Sequence, residues 1–151
     1  MLVRLMALAS VIYAKVMDEA IAEHGKGLTW KDYEVKTDDG YILTISRLLP
    51  AGDDLRKGQP VFLMHGMGVN GAKWLNRINL EIDSLPVRLV NEGYDVWLGN
   101  NRGNRMADRH QWLDLSDESD LAQYWDFSFP ELAQYDLPAM LSKVYDEAGE
   151  Q

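Results

Sequence analysis

Two stretches decide the fold: Val61-Phe62-Leu63-Met64-His65-Gly66-Met67-Gly68, and further along Gly93-Tyr94-Asp95-Val96-Trp97-Leu98-Gly99-Asn100-Asn101-Arg102-Gly103-Asn104. Val61 to Met64 is a short apolar run without alternation, the pattern of a strand buried on both faces, as in parallel sheets. Tyr94 to Leu98 reads the same way. Between them Ser84 stands at an N-cap position and Pro86 in a first turn. Leu85, Leu89 and Val90 share one helical face, and Gly93 can take the left-handed position that ends a helix. Strand, loop, helix and strand in this order make a right-handed βαβ crossover, so the class is α/β.

Upstream, Tyr33 to Val35 and Tyr41 to Leu49 flank Thr37-Asp38-Asp39-Gly40. Asp-Gly supplies the positive φ of a tight turn, and the segment reads as a β-hairpin. A polar loop from Ala51 to Gln59 separates it from the Val61 strand. Downstream, Ser128-Phe129-Pro130-Glu131 has the form of a capping box, which starts a helix. Pro138 is expected to interrupt that helix and Asp136 to cap a fresh start, after which Leu141, Val144 and Ala148 form an apolar face ending at Gly149. The chain divides into residues 1–28, a helix or weak signal-like segment, and residues 29–151, one α/β domain. Leu2, Leu5, Ala9, Ile12, Val16 and Ala20 recur at helical spacing, whereas Arg4 followed by the apolar run Leu5 to Tyr13 also has the layout of a short signal peptide with a poor cleavage site. Lys15 and Asp18 stop that run at about half of the ~20 residues that a membrane span needs.

Of 151 residues 46% are hydrophobic, enough for a packed core. Twenty-four acidic against 15 basic side chains give a net charge of −9, and no basic stripe follows a phosphate backbone, so nucleic acid is not an expected partner. With no cysteine the chain has no disulfide, thiolate ligand or Cys nucleophile. No His/Asp/Glu spacing points to a metal, and no cofactor is expected.

His65-Gly66-Met67-Gly68, directly after a strand, can aim backbone N–H groups into a cleft, which acyl transfer needs to stabilise an oxyanion. A glycine-rich strand-to-loop turn without catalytic meaning is the structural alternative. In the second stretch Arg102, with Asn100 and Gly103 beside it, is expected to pin its loop through a carboxylate or carbonyls rather than to touch substrate.

These residues resemble the acid lipases, the family of lysosomal acid lipase, gastric lipase and fungal steryl ester hydrolases. The resemblance runs from about Thr29 to Tyr145. It is carried by the Tyr33–Leu43 hairpin, His65-Gly66, Trp74, the Gly93–Asn104 stretch, Trp125-Asp126-Phe127-Ser128-Phe129 and Tyr135-Asp136-Leu137-Pro138-Ala139. It implies an incomplete α/β-hydrolase fold, with the hairpin and the first βαβ part of the sheet, ending before the nucleophile strand. It also implies that the Met67 N–H is an oxyanion-hole donor and that His65, with Gly66 and Gly68, supports the loop rather than acting as the triad base.

The family's nucleophile sits in a G-x-S-x-G elbow, and none of Ser10, Ser46, Ser84, Ser116, Ser119, Ser128 or Ser142 has that setting. His24 and His110 have no Ser partner nearby in sequence and are expected at the surface. The sheet edge beside Val61–Met64 then needs a cover, either the missing C-terminal half of the hydrolase or a protein partner. Two functions follow: part of a lipase acting on neutral-lipid or sterol esters once completed, or a non-catalytic lipase-like subunit with a structural role. Family habit points to a secreted or lysosomal setting, against an intracellular complex as the alternative. No N-x-S/T glycosylation sequence reinforces the first.

Overall fold

The computed structural model describes residues 15–52, 58–76 and 82–149. Residues 15–24 are helical (α1). Met17 of α1 is fully buried, while Val16, Ala20 and Ile21 pack against the core. The part of the expected N-terminal helix or signal sequence over residues 1–14 lies outside the described residues.

The hairpin pairs β1 (Leu28–Lys36) with β2 (Tyr41–Pro50), in a register running from Lys36↔Ile42 to Leu28↔Pro50. Gly40 takes a φ of +97°, and the Gly40 N–H donates to the Thr37 carbonyl at 3.0 Å, closing the turn. The Tyr41 N–H donates to Thr37 Oγ1 at 2.9 Å.

β3 (Pro60–Met64) and β4 (Asp95–Gly99) run parallel, from Pro60↔Asp95 to Met64↔Gly99, and α2 (Leu85–Asn91) lies between them in sequence. The sheet order is β1-β2-β4-β3, with the short β5 (Arg109–His110) pairing with the turn end of β2. β2 and β4 are buried because both have neighbours on either side. β3 is only half-buried along its length and forms the outer edge of the described sheet, which corrects the expectation of a strand covered on both faces. Its composition is that of a central strand; its neighbour is what differs.

Side chains alternate across the strands and build two cores. Leu48, Val96 and Leu98 face α1 and α2, joining Met17, Leu75, Val87 and Val90. Leu43, Ile45 and Trp97 face the other way, towards Met140 and Val144 of the last helix. On α2 Val90 is buried and Leu89 packs against the core as expected, whereas Leu85 is exposed and Pro86 and Val87 are buried in its place.

The C-terminal helix is not interrupted. α3 (Glu118–Tyr124) precedes α4 (Phe129–Glu131), which passes through a π-helical turn (Leu132–Asp136) into α5 (Leu137–Ala148). The capping box is present, with the Ser128 N–H donating to Glu131 Oε2 at 2.7 Å. Pro138 has no N–H to give and its ring crowds the preceding turn, so the widened turn upstream accommodates it without a break. Asp136 has helical φ and ψ and makes no capping bond, which corrects the expectation of a fresh N-cap. On α5 Met140 and Val144 are buried, whereas Leu141, expected on that face, is exposed in line with Leu137 and Tyr145.

Candidate active-site cleft and its supports

At the C-terminal end of β3 the chain turns through His65. Its Nε2 accepts the Asn101 N–H at 3.1 Å and lies 2.9 Å from Asn104 Nδ2, while Nδ1 lies 2.7 Å from the Gly66 carbonyl oxygen. An accepting Nε2 leaves the ring proton on Nδ1, where it donates to Gly66 O. Asn104 cannot turn its amide over without loss, because its Oδ1 accepts the Met106 N–H at 2.6 Å. His65 therefore ties the loop after β3 to the loop after β4.

One further side chain links the same pair of loops, and others fix the loop after β3 itself. Asn100, fully buried, accepts the Gly71 N–H at 2.9 Å and donates to the Thr44 carbonyl at 3.0 Å. Trp74 Nε1–H donates to the Met64 carbonyl at 3.1 Å, satisfying the end of the edge strand. Asn70 caps the short 3₁₀ helix Gly71–Leu75 by accepting the Ala72 N–H.

Between these anchors the backbone from Gly66 to Val69 is left to face outwards. Among the described residues none of its four N–H groups has a protein acceptor. Gly68 has a φ of +75°, which a side chain would strain; Gly66 lacks a positive φ and has open space around it, so geometry does not require glycine there. Met67 is 81% exposed. The loop lines a cleft of about 680 Å³, whose apolar wall comes from Trp125, Phe127, Phe129 and Leu132, with Val16 of α1.

Arg102 is buried in the wall behind the cleft. Its Nη1 and Nη2 donate to the two Asp39 oxygens at 2.7 and 2.9 Å, and its Nε and backbone N–H donate to Asp136 at 2.8 and 2.9 Å. The guanidinium lies 3.7 Å from the Tyr41 ring centroid. Burial disfavours its charge, but the two carboxylates outweigh that and hold its pKa above the ordinary arginine value. Burial pushes Asp136 up despite Arg102; Asp39 is more open, and there Arg102 and Thr37 overcome burial and hold the carboxyl below its usual range. The triad joins the hairpin turn, the loop after β4 and the π-helical turn. Gly103 has a φ of +79°, and a Cβ there would lie 2.8 Å from Phe127 and 2.9 Å from Trp125, so glycine lets the aromatic wall close on the loop.

His65, Gly66, Met67, Gly68, Asn100, Arg102 and Gly103 thus lie in one neighbourhood, with Arg102 reaching the cleft from a buried position and Asn100 behind it. Asp39 and Asp136 carry local signals only for a turn and a cap, because Arg102, which both bind, lies 63 and 34 positions away. The other two histidines are not surface residues. His110 is part-buried, in edge contact with Tyr41, its Nδ1 accepting the Trp112 and Leu113 N–H groups; the His24 side chain is 16% exposed. Among the described residues no group of His, Cys, Asp and Glu could hold a metal ion, and no helix is long and apolar enough to cross a membrane.

A strand leading to a His-Gly loop, a crossover to a parallel strand and an apolar cleft at the strand ends define an α/β fold with its candidate site at the carboxyl ends of the strands. Residues 19–78 match a partial alpha/beta-hydrolase lipase region. The chain is 37% identical over 137 residues to triacylglycerol lipase 2 of Arabidopsis thaliana, covering 87% of this chain and 31% of that protein. Against human gastric triacylglycerol lipase it is 41% identical over 124 residues, 80% of this chain and 29% of the relative. Human lysosomal acid lipase/cholesteryl ester hydrolase is 36% identical over 129 residues, with 83% and 31% covered. Over these residues the chain belongs to the acid lipase family, as its N-terminal region. It spans just under a third of the length of these relatives.

Proposed function

We propose that this chain forms the first part of a lipase active site, donating one oxyanion-hole hydrogen bond from the Met67 N–H. Turnover of neutral-lipid or sterol esters then requires a segment that brings the nucleophile, acid and base. The observation that carries this reading is the run of backbone N–H groups at Gly66 to Val69, without protein acceptors among the described residues, on the rim of an apolar cleft. An ester carbonyl seated there gains charge on its oxygen during attack. A preorganised N–H then stabilises the tetrahedral intermediate more than the ground state, which raises the rate. The apolar wall accounts for an acyl substrate.

The completing segment pairs with the edge of β3 beside Val61–Met64. It is the rest of a longer polypeptide or a second chain, and the exposed Leu137 and Leu141 of α5, a helix that packs on this sheet, are apolar surface for such a cover. A secreted or lysosomal setting rests on the names of the relatives.

The test compares the chain alone with a hybrid in which it replaces the matching region of human gastric triacylglycerol lipase. The chain alone is expected to show no p-nitrophenyl ester turnover and no labelling by a fluorophosphonate, and the hybrid to show both. Labelling of a serine in the chain alone, or a folded hybrid without turnover, overturns the proposal.

A further inference from the structure

We infer that Arg105 makes the cleft a binding site for a fatty-acid anion, an apolar chain with a carboxylate head. The inference rests on the cleft being the acyl site proposed above and adds a charge preference to it. The sequence holds 24 acidic residues, yet among the described residues no acidic side chain lines this cleft. Two arginines do. Arg102 is committed to Asp39 and Asp136, whereas Arg105 is exposed and makes no ion pair among the described residues.

Arg105 is also held in place at its backbone. The turn that carries it is closed by the Ala107 N–H donating to the Asn104 carbonyl at 2.9 Å and the Gly103 N–H donating to the Ala107 carbonyl at 3.2 Å. Asn104 is in turn fixed by His65 and by Met106. A guanidinium on the rim can take a carboxylate through two parallel N–H bonds, while the alkyl chain lies along Trp125 and Phe129. A neutral ester of the same acid offers the same apolar surface without the charge. The difference between acid and ester therefore isolates Arg105. In a chain of net charge −9, an anion has no general electrostatic reason to bind.

The experiment titrates a dansylated undecanoic acid and its methyl ester, by fluorescence, into the chain and into Arg105→Gln, Arg105→Lys and Trp125→Ala variants. The expected result is that the chain binds the acid roughly fivefold more tightly than the ester. Arg105→Gln removes the preference by weakening the acid alone, Arg105→Lys keeps most of it, and raised salt shrinks it. Trp125→Ala weakens both probes. Equal affinities in the unaltered chain, an unchanged ratio in Arg105→Gln, or no effect of Trp125→Ala overturns the inference. If the ester binds without preference, the acyl cleft stands and the role of Arg105 falls. If neither probe binds, both fall.

Discussion

Arg102→Met is expected to destabilise the fold by about 3–5 kcal/mol, because it removes the cation from between two carboxylates, one of them fully buried. An exposed ion pair of the same composition would be worth under about 1 kcal/mol. The difference is desolvation: Asp136 keeps its burial and loses its guanidinium partner, so its charge can be neither hydrated nor compensated. The effect has a defined pH dependence. Asp136 already has a folded-state pKa above its ordinary value, since burial penalises the carboxylate, and loss of Arg102 raises it further. A carboxyl with a raised folded pKa costs stability while ionised and stops costing it when protonated. The deficit of the variant is therefore greatest near neutrality and shrinks as the pH falls below that pKa. Urea denaturation followed by far-UV circular dichroism measures both. A loss under about 1 kcal/mol at neutral pH would show that the triad does not hold the hairpin turn, the β4 loop and the π-helical turn together.

Asp95→Ala is the second large effect, again about 3–5 kcal/mol. Asp95, with no exposed surface, takes Arg47 Nε at 2.7 Å and Nη2 at 2.9 Å, and also accepts Trp97 Nε1–H at 2.9 Å. Arg47 and Trp97 are register partners on β2 and β4, and the guanidinium lies 4.8 Å from the indole centroid. The substitution takes away the carboxylate that a buried guanidinium and an indole N–H share, on the face packed by α5. Replacing both ends, as Arg47→Met with Asp95→Leu, is expected to recover most of the loss, because no uncompensated charge is left. Equal destabilisation in the single and double variants would mean that shape at this position, and not charge, sets the cost.

The sequence was legible where local pattern and packing agree. The Asp39-Gly40 turn set the hairpin, and the glycine-bounded Tyr94–Leu98 run gave a strand that is buried on both sides. The apolar run Val61–Met64 gave a strand as well, but its burial depends on a neighbour that composition does not reveal. Pro138 alone predicts a break, because a regular helix has no room for its ring. A π-helical turn supplied the room, and it also turned Asp136 towards Arg102 instead of leaving it to cap a helix. Of the site, the resemblance and the His-Gly motif point to the cleft loop, and Arg102 is legible as a pin although the sequence does not name its carboxylates. Asp39 lies 63 positions from Arg102 and Asp136 lies 34, so only the folded chain brings them together. The part-burial of His110 is hidden for the same reason: the rings of Tyr41 and Tyr124 that cover it come from β2 and α3.

The role given to the Met67 N–H is tested most directly by Met67→Pro and Met67→Ala in the gastric-lipase hybrid, with kcat and KM measured on one ester. Proline removes the N–H and is expected to lower kcat by about 10²–10³ with KM little changed, whereas alanine keeps the N–H and retains kcat within about threefold. Equal turnover in the proline variant and the parent hybrid, with both folded, would contradict the account.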